Sequence, residues 1–213
     1  MSPALKSITM KWRWGRLFVL KLLGDRRGVA AIEFAMIVPI MLVLFFGTVE
    51  LSSGIAADRK VSLMARTLSD LTSRSISISD SDLTNFFAAS NAVMTPYVPP
   101  TYNVTKGTIT ELWIDPSTGN ARVQWSKGSG PRGTGTLVTI PAGLIVKDST
   151  GNIVPNQYLI FSEVSYLYTP AVGYVMAKSG VTLSDVAYTR PRQTVCVIYP
   201  TPTSGALPAC PKS

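Results

Sequence analysis

The chain has 213 residues, with 20 Lys and Arg against 12 Asp and Glu, a net charge of +8, two cysteines and no histidine. Without histidine there is no imidazole metal ligand, no Ser-His or Cys-His nucleophile pair, and none of the commonest general acid/base. The positive charge does not form a nucleic-acid stripe: seven basic residues lie in the first 28 against Asp25 alone, and the remainder carries 13 basic and 11 acidic residues with scattered signs.

Taken in order, Lys6, Lys11, Arg13, Arg16, Lys21, Arg26 and Arg27 make residues 1–28 a basic leader of the kind retained on the cytoplasmic side of a membrane. The next segment, VAAIEFAMIVPIMLVLFFGTV, holds one charge, Glu33, and ends just before Glu50. At ~1.5 Å per residue it is long enough for a bilayer core of ~30 Å, which predicts a transmembrane helix over 29–50. Pro39 lies inside it and predicts a kink or loosened turn. Beyond it, Val61, Met64, Ala65, Leu68 and Leu71 recur at helical spacing, with Asp58, Arg59, Lys60, Arg66 and Asp70 off the stripe. The pattern predicts one continuous helix over 29–73, its 51–73 part an amphipathic extension; a break at Ser52-Ser53-Gly54 is the alternative.

Residues 74–213 then read as one α+β domain. Asp80 or Ser81 is the candidate N-cap of a short helix reaching about Met94, ended by Pro96, Pro99 and Pro100. The runs YNVTKGTITELWID and ARVQWSKG, separated by PSTGN, predict a hairpin. TLVTI, LIVKD, YLIFSEVSYLYT, GVTLSDVAYT and TVCVIY are further strand candidates. Helices first and strands afterwards imply an antiparallel sheet packed against the long helix.

Two positions invite chemistry. Gly28 closes the basic leader directly before the apolar run, whereas a secretory signal peptide would be cut after its apolar core, at a site offered only weakly by Gly54-Ile-Ala56. Glu33 puts a carboxylate among apolar residues, at a cost of at least ~2.5 kcal/mol near a bilayer centre and less near its surface. Cleavage after Gly28 would give Val29 an ammonium group of pKa ~8, with which Glu33 could pair on its own helix or a neighbour's; an unpartnered glutamate at the lipid boundary is the alternative. Near the C-terminus, Cys196 and Cys210 flank a Pro-rich stretch that can turn back on itself, so an oxidising compartment would close a disulfide; two free buried thiols are the other reading.

Other features point to no chemistry. Asn103-Val-Thr105 is a short acceptor pattern that recurs by chance. Gly128, Gly130, Gly133 and Gly135 around Arg132 lack the Lys-Ser/Thr ending of a phosphate loop and read as a hairpin loop. Trp113 and Trp125 on the predicted hairpin read as core, with a partner-binding face as the alternative, and Tyr158, Tyr166 and Tyr168 as residues of a half-buried sheet.

Gly28, the uncharged stretch after it, Glu33 and Phe34 resemble the processing motif of type IVb prepilins. More narrowly, RRGVAAIEFAMIVPIMLVLFFGTVE resembles the N-terminal segment of TadE-like minor pseudopilins of the tight-adherence (Flp-type) pilus. SEVSYLYTP and PRQTVCVIY are similar to that family's C-terminal strands. The resemblance implies a prepilin peptidase cutting between Gly28 and Val29, with Glu33 as the assembly carboxylate and Phe34 its aromatic neighbour. It implies other pilins and pseudopilins as partners and an inner-membrane location, with the leader cytoplasmic and residues 74–213 in the periplasm or the pilus. Neither enzyme activity, cofactor, metal, nucleic acid nor small-molecule substrate is expected. The alternative is a single-pass anchored binding module that never enters a fibre.

Overall fold

The computed structural model describes residues 27–97, 105–170, 180–201 and 209–212. Most of the basic leader, Pro99, Pro100 and Asn103 fall outside them. The chain divides into two compact units, residues 1–49 and 50–213.

Helix α1, Arg27–Ser73, runs for 47 residues without interruption through Ser52, Ser53 and Gly54, with Pro39 inside it. Its mean hydropathy reaches 2.6 over an 18-residue window, and it is long and apolar enough to span a membrane. In the first unit the apolar side chains lie open on every side, as at Ile32, Met36, Ile40 and Leu44. Such all-round apolarity suits lipid rather than a protein core.

In the second unit α1 changes character. Ala57, Val61, Met64, Ala65 and Leu68 are buried, and the stripe continues at Thr72, while Leu71 is only half-buried. That stripe packs on a five-stranded antiparallel sheet of order β3-β2-β1-β4-β5. Its strands are β1 (Thr105–Ile114), β2 (Ala121–Gly128), β3 (Leu137–Val138), β4 (Gln157–Tyr168) and β5 (Val181–Thr189). Alternation along β4 sorts the faces: Ile160, Val164, Tyr166 and Tyr168 join the helix side, and Leu159 and Phe161 the other. Small residues bring helix and sheet close. Ser162 Oγ donates to the Ala65 carbonyl at 2.6 Å, and Ser69 Oγ donates to Thr189 Oγ1 at 2.7 Å.

A short helix α2, Asp80–Val93, follows α1. Its N-cap is Ser79, one residue before the expected Asp80 or Ser81. Ser79 and Asp82 form a capping box, in which the Ser79 amide donates to Asp82 Oδ2 at 2.9 Å. These bonds hold the Asp82 carboxyl below its ordinary range. At the other end, Lys60 of α1 donates from Nζ to the carbonyls of Val93 and Thr95, at 2.8 and 2.7 Å, placing a cation on the negative end of the helix dipole.

The β1–β2 hairpin forms as the sequence predicts, its turn fixed by Gly119 at φ 76° and by Asp115 Oδ1, which accepts from the Ser117 amide. Three strand expectations need correction. TLVTI contributes only Leu137–Val138. LIVKD forms a single bridge, Lys147 to Ile153, because Val138, Ile140, Leu144, Ile145 and Ile153 pack as a cover over the second face of the sheet. TVCVIY makes one parallel bridge, Ile198 to Ser77, and otherwise lies as an irregular tail. On β5, which pairs with β4 alone, Asp185 Oδ1 accepts from the Val186 amide at 2.8 Å.

The packing predicts that Leu68→Ala, at a fully buried position, lowers stability by about 2–5 kcal/mol. Lys60→Met should cost roughly 1 kcal/mol through loss of the α2 terminus contact. Thermal unfolding of the detergent-solubilised full chain measures both.

Candidate functional site

The residues singled out in the sequence fall in two places, each described by its own unit. In the first unit, Gly28 and Val29 lie in the opening turn of α1, and Glu33 and Phe34 one turn further on. Val29 and Glu33 are four apart and therefore share a helix face. All four are exposed, Phe34 at 69% and Val29 at 53%. Glu33 forms no ion pair among the described residues. A Cβ added at Gly28 would meet nothing within 4 Å among the described residues.

In the second unit, Cys196 and Cys210 form a disulfide with Cα atoms 5.7 Å apart, as the oxidised alternative had it. Cys196 is buried against Tyr158 and Ile198, with Trp113 packed alongside. The bridge belongs to the C-terminal tail, which several backbone bonds tie down. The Arg192 amide donates to the Ser73 carbonyl, the Ile198 amide to Ile76, and the Ile78 amide to Ile198. Tyr158 Oη donates to the Pro211 carbonyl at 2.9 Å.

Three acidic residues matter here that sequence reading did not single out. Glu111 is fully buried on β1, opposite Trp125 across the bulge between Glu111 and Leu112. Its Oε1 accepts from the Val197 amide at 2.6 Å, while Trp125 Nε1 donates to the Val197 carbonyl at 2.9 Å. Burial pushes the Glu111 carboxyl up to about 8, against the opposing pull of the Val197 amide and Trp125. Glu50, the first residue of the second unit, is buried and accepts from Tyr168 Oη at 2.9 Å. Burial, then that bond, pushes Tyr168 up to about 12. Glu163 forms a bidentate pair with Arg132, whose guanidinium also lies over the Phe161 ring. The Gly-rich loop thus folds back as a hairpin loop whose arginine is already matched. An open cleft of about 360 Å³ beside this pair is lined by Lys106, Thr108, Ser165 and Ser184 among others.

An exposed apolar helix carrying one carboxylate at its start is the arrangement that decides the comparison. Residues 28–68 match the family of TadE-like proteins. The TadE-like segment begins at Gly28, includes Val29, Glu33 and Phe34, and ends at Leu68, inside the buried stripe of α1. No curated protein and no solved structure matches the chain. The α+β architecture after α1 therefore rests on the residues and geometry given above, and the resemblance of SEVSYLYTP and PRQTVCVIY to family strands lies beyond the matched span. The former is β4 and its end; the latter is the tail rather than a strand.

The TadE-like segment and the tail make separate demands on stability. Replacing both cysteines with serine should lower unfolding stability by about 2–4 kcal/mol. Membrane association should be unchanged. Thermal scans with and without reductant, alongside membrane flotation, check both halves.

Proposed function

We propose that this chain is a minor pseudopilin that takes part in assembling a tight-adherence type IVb pilus and is processed by prepilin peptidase between Gly28 and Val29. The observation that carries the reading is the TadE-like match, which starts at Gly28 and takes in the exposed apolar run 29–49, whose one charge is Glu33. Among the described residues nothing lies within 4 Å of a Cβ placed at Gly28, which leaves its backbone open to a protease that reads it closely.

The chemistry follows from the new terminus. Hydrolysis of the Gly28–Val29 peptide leaves an ammonium group on Val29, and in an apolar medium that charge and the Glu33 carboxylate each lower the other's cost. Intact chains lack this α-ammonium, and their nearest positive charges, Arg26 and Arg27, lie in the leader. Cleavage would therefore switch on lateral pairing between helices, with Phe34 beside the pair to exclude water. The basic leader would hold the N-terminus on the cytoplasmic side. The disulfide suits an oxidising compartment for residues 74–213. Pilins, pseudopilins and the inner membrane are then the partners, and we read the chain as a structural component rather than an enzyme. An anchored binding module outside the fibre is the second reading, favoured by the size of the α+β domain that lies beyond the matched residues.

Mass analysis of membrane-extracted protein from a host with active prepilin peptidase should find Val29 at the N-terminus. Gly28→Glu should leave a precursor longer by the leader, and an intact Met1 terminus in the wild type would reject the proposal. Glu33→Gln should preserve membrane insertion but reduce co-purification of pilins about tenfold, the factor set by ~1.4 kcal/mol of lost pairing. Equal recovery of pilins by the two proteins would favour the anchored module.

A further inference from the structure

The C-terminal tail is held to the sheet in an unusual manner. Both backbone polar groups of Val197 are satisfied by side chains of the β1–β2 hairpin: its amide donates to Glu111, and its carbonyl accepts from Trp125. Val197 and Glu111 are both fully buried, and Glu111 Oε2 has no hydrogen-bond partner among the described residues. Trp113 Nε1, two residues along the same face of β1, is likewise buried without a partner. A carboxyl in this position is tolerated far better with a proton than as an anion, because nothing positive among the described residues compensates it.

The surrounding charges are committed elsewhere. Tyr158 of β4 is pushed up to about 12 by burial and by Glu111, and so stays neutral. Lys127 of β2 sits over the Tyr199 ring, and Tyr199 Oη donates to Asp80 of α2. Arg192 of the tail pairs with Asp70 of α1, which Arg74 also engages, and Arg190 donates to the Leu144 carbonyl. None of these forms an ion pair with Glu111.

We propose that residues 192–201 form a clasp, closed on the sheet while Glu111 is protonated and released locally when it ionises. Ionisation becomes tolerable only if water reaches the carboxylate, and the Val197 peptide is the group lying against it. The disulfide makes the release concerted. The bond runs from Cys196 to Cys210, so it ties the clasp to residues 209–212 and not to the sheet, and the two lift together.

The sign follows from proton linkage. The closed state holds a carboxyl raised to about 8, whereas a lifted tail returns it to the ordinary ~4.3. The clasp is therefore fully secure below the lower value and loosens as pH rises between the two, by about tenfold in the opening constant per pH unit, levelling above the upper one.

Hydrogen exchange on the oxidised full chain in nanodiscs tests this, with rates corrected for base catalysis. Protection of the Val197 and Ile198 amides should fall about tenfold per pH unit across that window, while the Ile109 and Ile160 amides of the central strands keep theirs. Glu111→Gln, which keeps an acceptor for the Val197 amide without the charge, should abolish the slope. A flat wild-type profile, a slope that survives Glu111→Gln, or parallel loss at Ile109 and Ile160 would each overturn the clasp. Should Glu111→Gln fail to fold, a carboxyl ¹³C titration of the wild type decides: a raised midpoint supports the proposal, and an ordinary glutamate value removes it.

Discussion

A single unbroken helix has to satisfy two media, and this constraint organises the molecule. Through residue 49, α1 is apolar on all sides; from Ala57 to Leu68 only one stripe is, and that stripe becomes the core of the second unit. The sheet accommodates the stripe by keeping its own contacts small where they are closest. Ser162 on β4 meets the helix at Ala65 and gives its hydroxyl to that carbonyl, so a polar side chain lies buried without an orphaned group. Gly107 on β1 is similarly close, since a Cβ there would come within 3.0 Å of Phe87 and 3.4 Å of Leu68. Larger residues at either point would force helix and sheet apart.

The polar residues that mark the transition are handled differently from those on the surface. Glu50 is buried yet receives the Tyr168 hydroxyl, whereas Asp70 serves two arginines at the far end of the same helix in partial solvent. Such exposed pairs contribute little to stability. The buried bond matters more, because losing the hydroxyl removes a hydrogen bond from a carboxylate out of reach of water.

Much of this was readable in advance. The helix boundaries, the β1–β2 hairpin, β4, β5 and the disulfide follow from long periodic runs, a Gly/Asn turn and two isolated cysteines. The N-terminal motif was legible because Glu33 is the single charge in its run, and an outlier among apolar residues stands out. What misled was β-propensity without a partner. LIVKD and TVCVIY have the composition of strands, but composition reports a wish to be half-buried and not which neighbour supplies the hydrogen bonds. In one case the segment covers the sheet, and in the other side chains replace the missing strand. Glu111 could not be found from sequence. An acid in TITELWID looks like a solvent-facing position of an alternating strand, and only the tail folding over it makes it buried.

The outermost strand carries a last consequence. Asp185 takes up the amide of its neighbour Val186, so one donor on β5 is spent within the strand itself. A foreign strand approaching that edge would find the ladder incomplete and a negative charge in the way. Growth by sheet extension is thereby discouraged, while α1 through residue 49 stays exposed on every side.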